Sequence, residues 1–230
     1  MTAVPIVLNW SGGKDSSLAL AALQRDARFD VVGLMTSVTR KYDRVSIHGV
    51  RRSLLESQAV ALGLPLFEVV LEPDCSNEAY ESAFREGAAR LRAAFPGLRQ
   101  LAFGDLFLAD VRAYRERLVT TVGMDAVFPL WGEDTTRLAH RFVAEGYRAH
   151  LVCVDTQQLD PSFAGACFDT ALLAALPQTV DPCGENGEFH TFVSDGPIFR
   201  EPIPVVLGEV VMREHRFAYR DLLPAGEPAA

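Results

Sequence analysis

No stretch of the 230-residue chain approaches the roughly 20 consecutive apolar residues that a membrane-spanning helix needs. The candidate run from Val4 to Leu8 is short and soon interrupted, so a soluble protein is expected. The N-terminus, MTAVPIVLNWSGG, lacks a basic segment followed by an apolar one and enters a strand-like run at once, which predicts a cytoplasmic location. Cysteine is scarce: Cys75, Cys153, Cys167 and Cys183 lie far apart with no C-x-x-C pair. That spacing indicates neither a zinc site nor a disulfide framework, and reduced thiols are expected. Positive charge is in the minority, with 22 Lys+Arg against 30 Asp+Glu and a formal charge of -8. The balance opposes long-range attraction to a phosphate backbone and disfavours nucleic acid as a partner. Repeats, linkers and low-complexity segments are missing too, apart from a tail, PAGEPAA, expected to fray. What remains, 49% hydrophobic and 23% charged residues, is the composition of a chain that buries a sizeable core.

Strand and helix signals alternate along most of that chain. Val4 to Trp10 reads as a buried parallel strand ending at Ser11-Gly12-Gly13, and SSLALAALQ (Ser16 to Gln24) as the helix that follows. The pattern recurs as strand Val31 to Ser37 and helix His48 to Leu62, closed by Gly63. Strand Leu66 to Leu71 then precedes helix Asn77 to Ala94, which Pro96-Gly97 ends. Strands at Leu98 to Phe103, Ala126 to Phe128 and Ala149 to Asp155 alternate with helices at Ala109 to Val122 and Thr135 to Glu145. This order predicts an α/β fold, a doubly wound parallel sheet whose ligands bind outside the carboxyl ends of the strands. After about Thr156 the pattern changes: residues 181–204 are rich in Gly, Pro and acidic side chains, and Val205 to Tyr219 reads as a hairpin. We therefore expect an α/β domain over 1–155 and a small α+β region over 156–230.

The strongest local signal is Ser11-Gly12-Gly13-Lys14-Asp15-Ser16-Ser17, where the first strand turns into the first helix. Two glycines permit a tight turn that brings amide groups close to an anion, the helix N-terminus adds a favourable dipole, and the serines add hydroxyl donors. Lys14 supplies positive charge, and Asp15 beside a phosphate site fits a Mg2+ partner, direct or through water. A glycine turn with a serine cap would account for the glycines and Ser16 without any ligand. The spacing differs from the G-x-x-x-x-G-K-[ST] loop.

The string SGGKDS resembles the PP-loop of N-type ATP pyrophosphatases, a HUP-like, adenine nucleotide alpha hydrolase fold. Asp181 to Phe199, DPCGENGEFHTFVSDGPIF, is similar to the GENGEFHT signature of the diphthine-ammonia ligase family, a branch of those enzymes. Gly104-Asp105, Arg112, Glu116 and Pro129-Leu130-Trp131 lie between them and are similar to other landmarks of that family. The resemblance implies an enzyme that cleaves ATP between the alpha and beta phosphates, adenylates a carboxylate and amidates it with ammonia. It assigns Ser11, Gly12, Gly13, Lys14, Asp15 and Ser16 to ATP and its Mg2+, and the adenine to Met35, Thr36 and Ser37 at the end of the second strand. Met35 reads equally well as core filling. At the acceptor end, Glu185, Glu188 and His190 are candidate bases, Asn186 an orienting group, and Gly184 and Gly187 backbone hinges.

Asp105 is placed to meet Mg2+ or the acceptor, or else to cap a helix. Arg112 grips a carboxylate or phosphate, or forms a surface pair with Glu116 at i+4. His48 stabilises phosphate or begins a helix, and Trp131 stacks on substrate or fills core. The acceptor, small molecule or protein, is left open, as is self-association. A PP-loop enzyme that modifies a tRNA base and a nucleotide-binding sensor without turnover remain as alternative readings.

Overall fold

The structure, a computed structural model, describes residues 3–45 and 48–226. Residues 227–230 of the tail expected to fray lie outside it. In chain order the elements begin β1 (Val4–Asn9), α1 (Lys14–Arg25), β2 (Phe29–Thr39), β3 (Arg44–Val45), α2 (Arg52–Leu62) and β4 (Leu66–Leu71). They continue with α3 (Asn77–Ala94), β5 (Gln100–Ala102), α4 (Ala109–Thr120), β6 (Asp125–Val127), α5 (Thr135–Ala144) and β7 (Arg148–Asp155). The chain ends in α6 (Thr170–Ala175), β8 (Phe189–Asp195), β9 (Val205–Arg213) and β10 (Phe217–Pro224). No helix among the described residues is long and apolar enough to cross a membrane.

Packing divides the chain into two compact units, Met1–Ser11, Asp15–Ser46 and Gly63–Gly132 in the first, and Gly12–Lys14, Ile47–Leu62 and Glu133–Ala230 in the second. In the first unit β4, β2, β1, β5 and β6 pair in parallel in that order, while two-residue β3 returns antiparallel on the end of β2. The chain moves outward from β1 through β2 to β4, then restarts at β5 on the other side of β1. The winding direction therefore reverses between β1 and β5, as in a doubly wound fold of HUP type. Ile6, Val7 and Leu8 are fully buried, which is why β1 reads as a continuous apolar run without alternation. Val7, Met35, Val69, Phe84, Leu91 and Phe103 belong to the core of this unit. Helix α3 starts where the sequence predicts, because the Ser76 hydroxyl accepts from the Ala79 amide at 3.2 Å.

The second unit departs from the alternation. Strand β7, read above as one more parallel strand, pairs antiparallel with both β8 and β10, in a four-stranded sheet of order β8-β7-β10-β9. The partner β8 lies inside the Gly- and Pro-rich stretch, whose turns flank a strand that composition alone conceals. The expected hairpin is present as β9 and β10 and runs on to Pro224. Phe142 links the interior of this unit through Tyr147 and Phe168 at ring-centroid distances of 4.8 and 5.3 Å.

Asp155 closes β7 with 1% of its surface exposed. Arg216 forks onto it, Nε to Oδ1 at 2.9 Å and Nη2 to Oδ2 at 2.6 Å, and Gln158 Nε2 donates at 2.9 Å. These bonds, Arg216's first, hold its carboxyl well below the usual carboxylate range. The carboxylate is sealed from solvent but lies under a partly exposed arginine, so the pair is worth less than a deeply buried one. Asp155→Asn is expected to lower unfolding stability at neutral pH by about 2 kcal/mol, measured by urea denaturation. Because the folded-state value is depressed, the contribution is present above the unfolded carboxyl value of about 4 and fades as pH falls below it. The gap between wild type and variant therefore closes in acid.

Candidate active site

The segment Ser11–Ser17 leaves the carboxyl end of β1 and opens α1. Gly12 sits at φ +79°, and a Cβ there would stand 2.8 Å from Gln58 Oε1 and 3.1 Å from Leu55 Cδ1. Its carbonyl accepts from the Val193 amide at 2.9 Å and from Gln58 Nε2 at 3.0 Å. Two residues on, the Lys14 amide donates to Thr191 Oγ1 at 3.0 Å. Strand β8 and helix α2 thus hold Gly12–Lys14 from both ends. Lys14 is fully buried, its Nζ 5.9 Å from the centroid of Phe168. Gly12→Ala combines a left-handed backbone with a clash and is expected to cost about 2 kcal/mol of stability by chemical denaturation.

His190 lies on β8 beside Thr191, its ring centroid 4.4 Å from that of His48 at a 48° tilt. Burial, and then the charge of Lys14, push His190 down to about 4. His48 is driven well below its ordinary value by burial and then by His190. Both imidazoles are therefore neutral at pH 7. His48 Nδ1 has no hydrogen-bond partner among the described residues.

Two carboxylates shape the loop that precedes His190. Glu188, 1% exposed, accepts at Oε1 from the Asp181 amide (2.9 Å) and Asn186 Nδ2 (3.0 Å), and at Oε2 from the Asn186 amide (2.9 Å). Asp181 accepts from the Cys183 amide at 2.8 Å, the Glu185 amide at 3.3 Å and Thr135 Oγ1 at 2.6 Å. Gly184 turns at φ +71°, where a Cβ would lie 2.7 Å from the Phe189 carbonyl. Glu188 thereby has a structural task, while Glu185 is half-buried and Asn186 exposed on the same turn. Cys183 is buried and its Sγ lies 3.2 Å from the Thr135 carbonyl.

At the switch point of the first unit, Gly104-Asp105 follows β5 next to the end of β1. The backbone of Gly104 approaches the first turn of α1 so closely that a Cβ would meet Asp15 C at 3.1 Å and Ser16 N at 3.2 Å. Burial raises the Asp105 carboxyl and Asp15 adds to the rise, against the pull of Arg115, whose Nε is 3.9 Å away. Asp105 is not a helix cap: the N-cap of α4 is Leu108, with no side-chain bond. Mg2+ commonly takes one or two carboxylates and completes its shell with water and substrate phosphates. Asp15 and Asp105 fit that mode, and it requires no larger cluster; none of three or more His, Cys, Asp or Glu is found among the described residues.

Ser11 Oγ donates to Ser16 Oγ at 3.2 Å. Met35 is 2% exposed, its side chain in the core and its carbonyl accepting from the Trp10 amide at 2.7 Å. Next to it, the buried Thr36 hydroxyl has no partner among the described residues, and Ser37 is half-buried. Arg112 pairs with Glu116 at 2.8 Å and lies over the rings of Trp131 and Phe128 at 4.6 and 5.0 Å. Arg115, and not Arg112, is the cation beside Asp105.

A family model described as the diphthamide synthase N-terminal domain matches residues 4–126, and one described as the diphthamide synthase C-terminal domain matches residues 134–220. The chain belongs to the diphthamide synthase family. It is also similar to the diphthine–ammonia ligase of Schizosaccharomyces pombe, at 25% identity over 218 residues, covering 87% of this chain and 36% of that protein. The chain thus spans little more than a third of the length of this curated relative.

In this diphthamide synthase family member, several residues that organise the site escape sequence reasoning. Thr191 stands inside the glutamate motif but carries no charge to mark it. Gln58 is a polar side chain at a fully buried helix position, a pattern that signals an internal hydrogen-bond duty. Asp181 and Arg115 reveal their partners only once the loops are closed.

Proposed function

We propose that the chain is an ATP-dependent, AMP-forming ligase that adenylates a carboxylate and converts it to an amide with ammonia. The observation that carries this reading is the hydrogen bond from the Lys14 amide to Thr191 Oγ1, which joins the glycine loop to the strand bearing His190. Family membership and the diphthine and ammonia in the name of the Schizosaccharomyces pombe relative support the same chemistry, with a diphthine-like carboxylate as the acceptor class.

In this account Ser11, Gly12, Gly13 and Ser16 receive phosphate oxygens, and the buried Lys14 ammonium opposes their charge. Asp15 and Asp105 would hold Mg2+, which supplies neutralisation of phosphate charge when bound. Backbone groups of Ser37 and the Thr36 hydroxyl receive the adenine edge, with Met35 as the core residue beneath them. A carboxylate oxygen attacks the alpha phosphorus and pyrophosphate leaves. Ammonia then attacks the acyl carbon, AMP departs with the bridging oxygen, and the nitrogen sheds a proton. Glu185 is the candidate to accept that proton, while His190, neutral but held against protonation by burial and Lys14, lines the site, and Gly184 and Asn186 shape the acceptor end. Glu188 acts as a positioning residue, and Arg112 borders the acceptor.

Phosphorus NMR of the protein with ATP, Mg2+, ammonium and a carboxylate acceptor tests the reading. AMP and pyrophosphate are expected; ADP and orthophosphate as the products would contradict it.

A further inference from the structure

Strand β9 is the terminal strand of the four-stranded sheet, and its outer edge pairs with no strand among the described residues. Natural edges are blunted by charge, proline, bulges or short length; β9 carries two charges, Glu209 and Arg213, and one register shift against β10 between Leu207 and Val210, but it is nine residues long, contains no proline and is otherwise apolar, VVLGEVVMR. Val206, Leu207, Val210, Val211 and Met212 are 37–51% exposed, and since neighbours in a strand face opposite ways, apolar surface is open on both faces. A surface helix or membrane contact would leave the edge's backbone groups unpaired; a further strand alongside pairs them and sets its side chains beside those of β9 on both faces.

We propose that this edge pairs with β9 of a second copy of the chain, antiparallel about a two-fold axis through Val211. The charges select that register. With Val211 opposite itself, Glu209 of each copy stands opposite Arg213 of the other, twice over, and Val210 faces Met212. Sliding the axis two residues either way sets Glu209 against Glu209 or Arg213 against Arg213. An axis at Val210 leaves both charges opposite apolar residues, and one at Met212 sets Arg213 against Val211 and carries Glu209 past the end of the facing strand. A two-fold interface must be self-complementary, and opposite charges across paired strands favour the register while like charges oppose it. The two four-stranded sheets then join into one of eight strands, and both β9 edges are paired.

Sedimentation velocity of the 230-residue chain over a range of micromolar concentrations reads the result directly. The wild type is expected to be a dimer. Val211→Lys sets two ammonium groups against each other on the axis and is expected to give a monomer of unchanged far-UV circular dichroism. Glu209→Arg and Arg213→Glu, each alone, turn both charge pairs repulsive and are expected to weaken self-association on the order of tenfold. Mixing those two single variants gives pairs in which one copy is positive and the other negative at both positions. Every cross-strand contact is then attractive again, so the dimer returns. A monomeric wild type overturns the proposal. So does a dimer indifferent to the single charge reversals, or a mixture no tighter than its components.

Discussion

Lys14→Ala is expected to lower the rate of AMP formation about 10²–10³-fold, the loss seen when one preorganised charged or hydrogen-bonding group is removed from the reacting centre. The size follows from where the ammonium sits. It is withdrawn from water, and its own backbone is held by Thr191, so its charge acts in a medium that screens it weakly. The same substitution has a second readout, which reports whether the charge of Lys14 reaches His190. Lys14 is the second cause, after burial, of the low value of His190. In the variant the imidazole should titrate above about 4 but remain below its ordinary value, because burial persists. Proton NMR of the ring measures this in the same sample used for activity.

Glu188→Ala should cost about 3 kcal/mol of stability, because three donors lose their acceptor inside the protein at once. Glu188→Gln keeps the shape but replaces one carboxylate oxygen by an amide nitrogen facing an N–H group, so a loss of roughly half that size is expected. Urea denaturation ranks the three proteins. The glutamine variant also separates positioning from proton transfer. If Glu188 positions the loop, the loss of activity tracks the loss of folded structure and is partly restored by lower temperature. A fully folded but inactive glutamine variant would instead make Glu188 a base.

Much of this arrangement is legible from residue patterns. The continuous apolar run at β1 announces a strand buried on two faces, and Ser76 with Pro96-Gly97 brackets α3. The loop and the glutamate motif stand out through glycines whose positive φ values the structure displays at Gly12, Gly184 and Gly187. What sequence does not supply is pairing across distance. Strand β7 looks the same whether its neighbours run parallel or antiparallel, and β8 is hidden by the turns around it. Arg112 stands out in the sequence as a ligand for the acceptor, yet the structure engages it with Glu116 and two aromatic rings. Arg115, three residues further along α4 and unmarked by any motif, is the one that faces Asp105. The difference is one of helix facing, which periodicity constrains only when the partner loop is known.

The central claim is reversible transfer of an adenylyl group to a carboxylate before any ammonia is used. Exchange of labelled pyrophosphate into ATP, measured with a carboxylate acceptor present and ammonium omitted, tests it most directly. The account predicts label in ATP that depends on the acceptor and is lost in Lys14→Ala. Amide formation proceeding with ADP and orthophosphate as products and no exchange would contradict it.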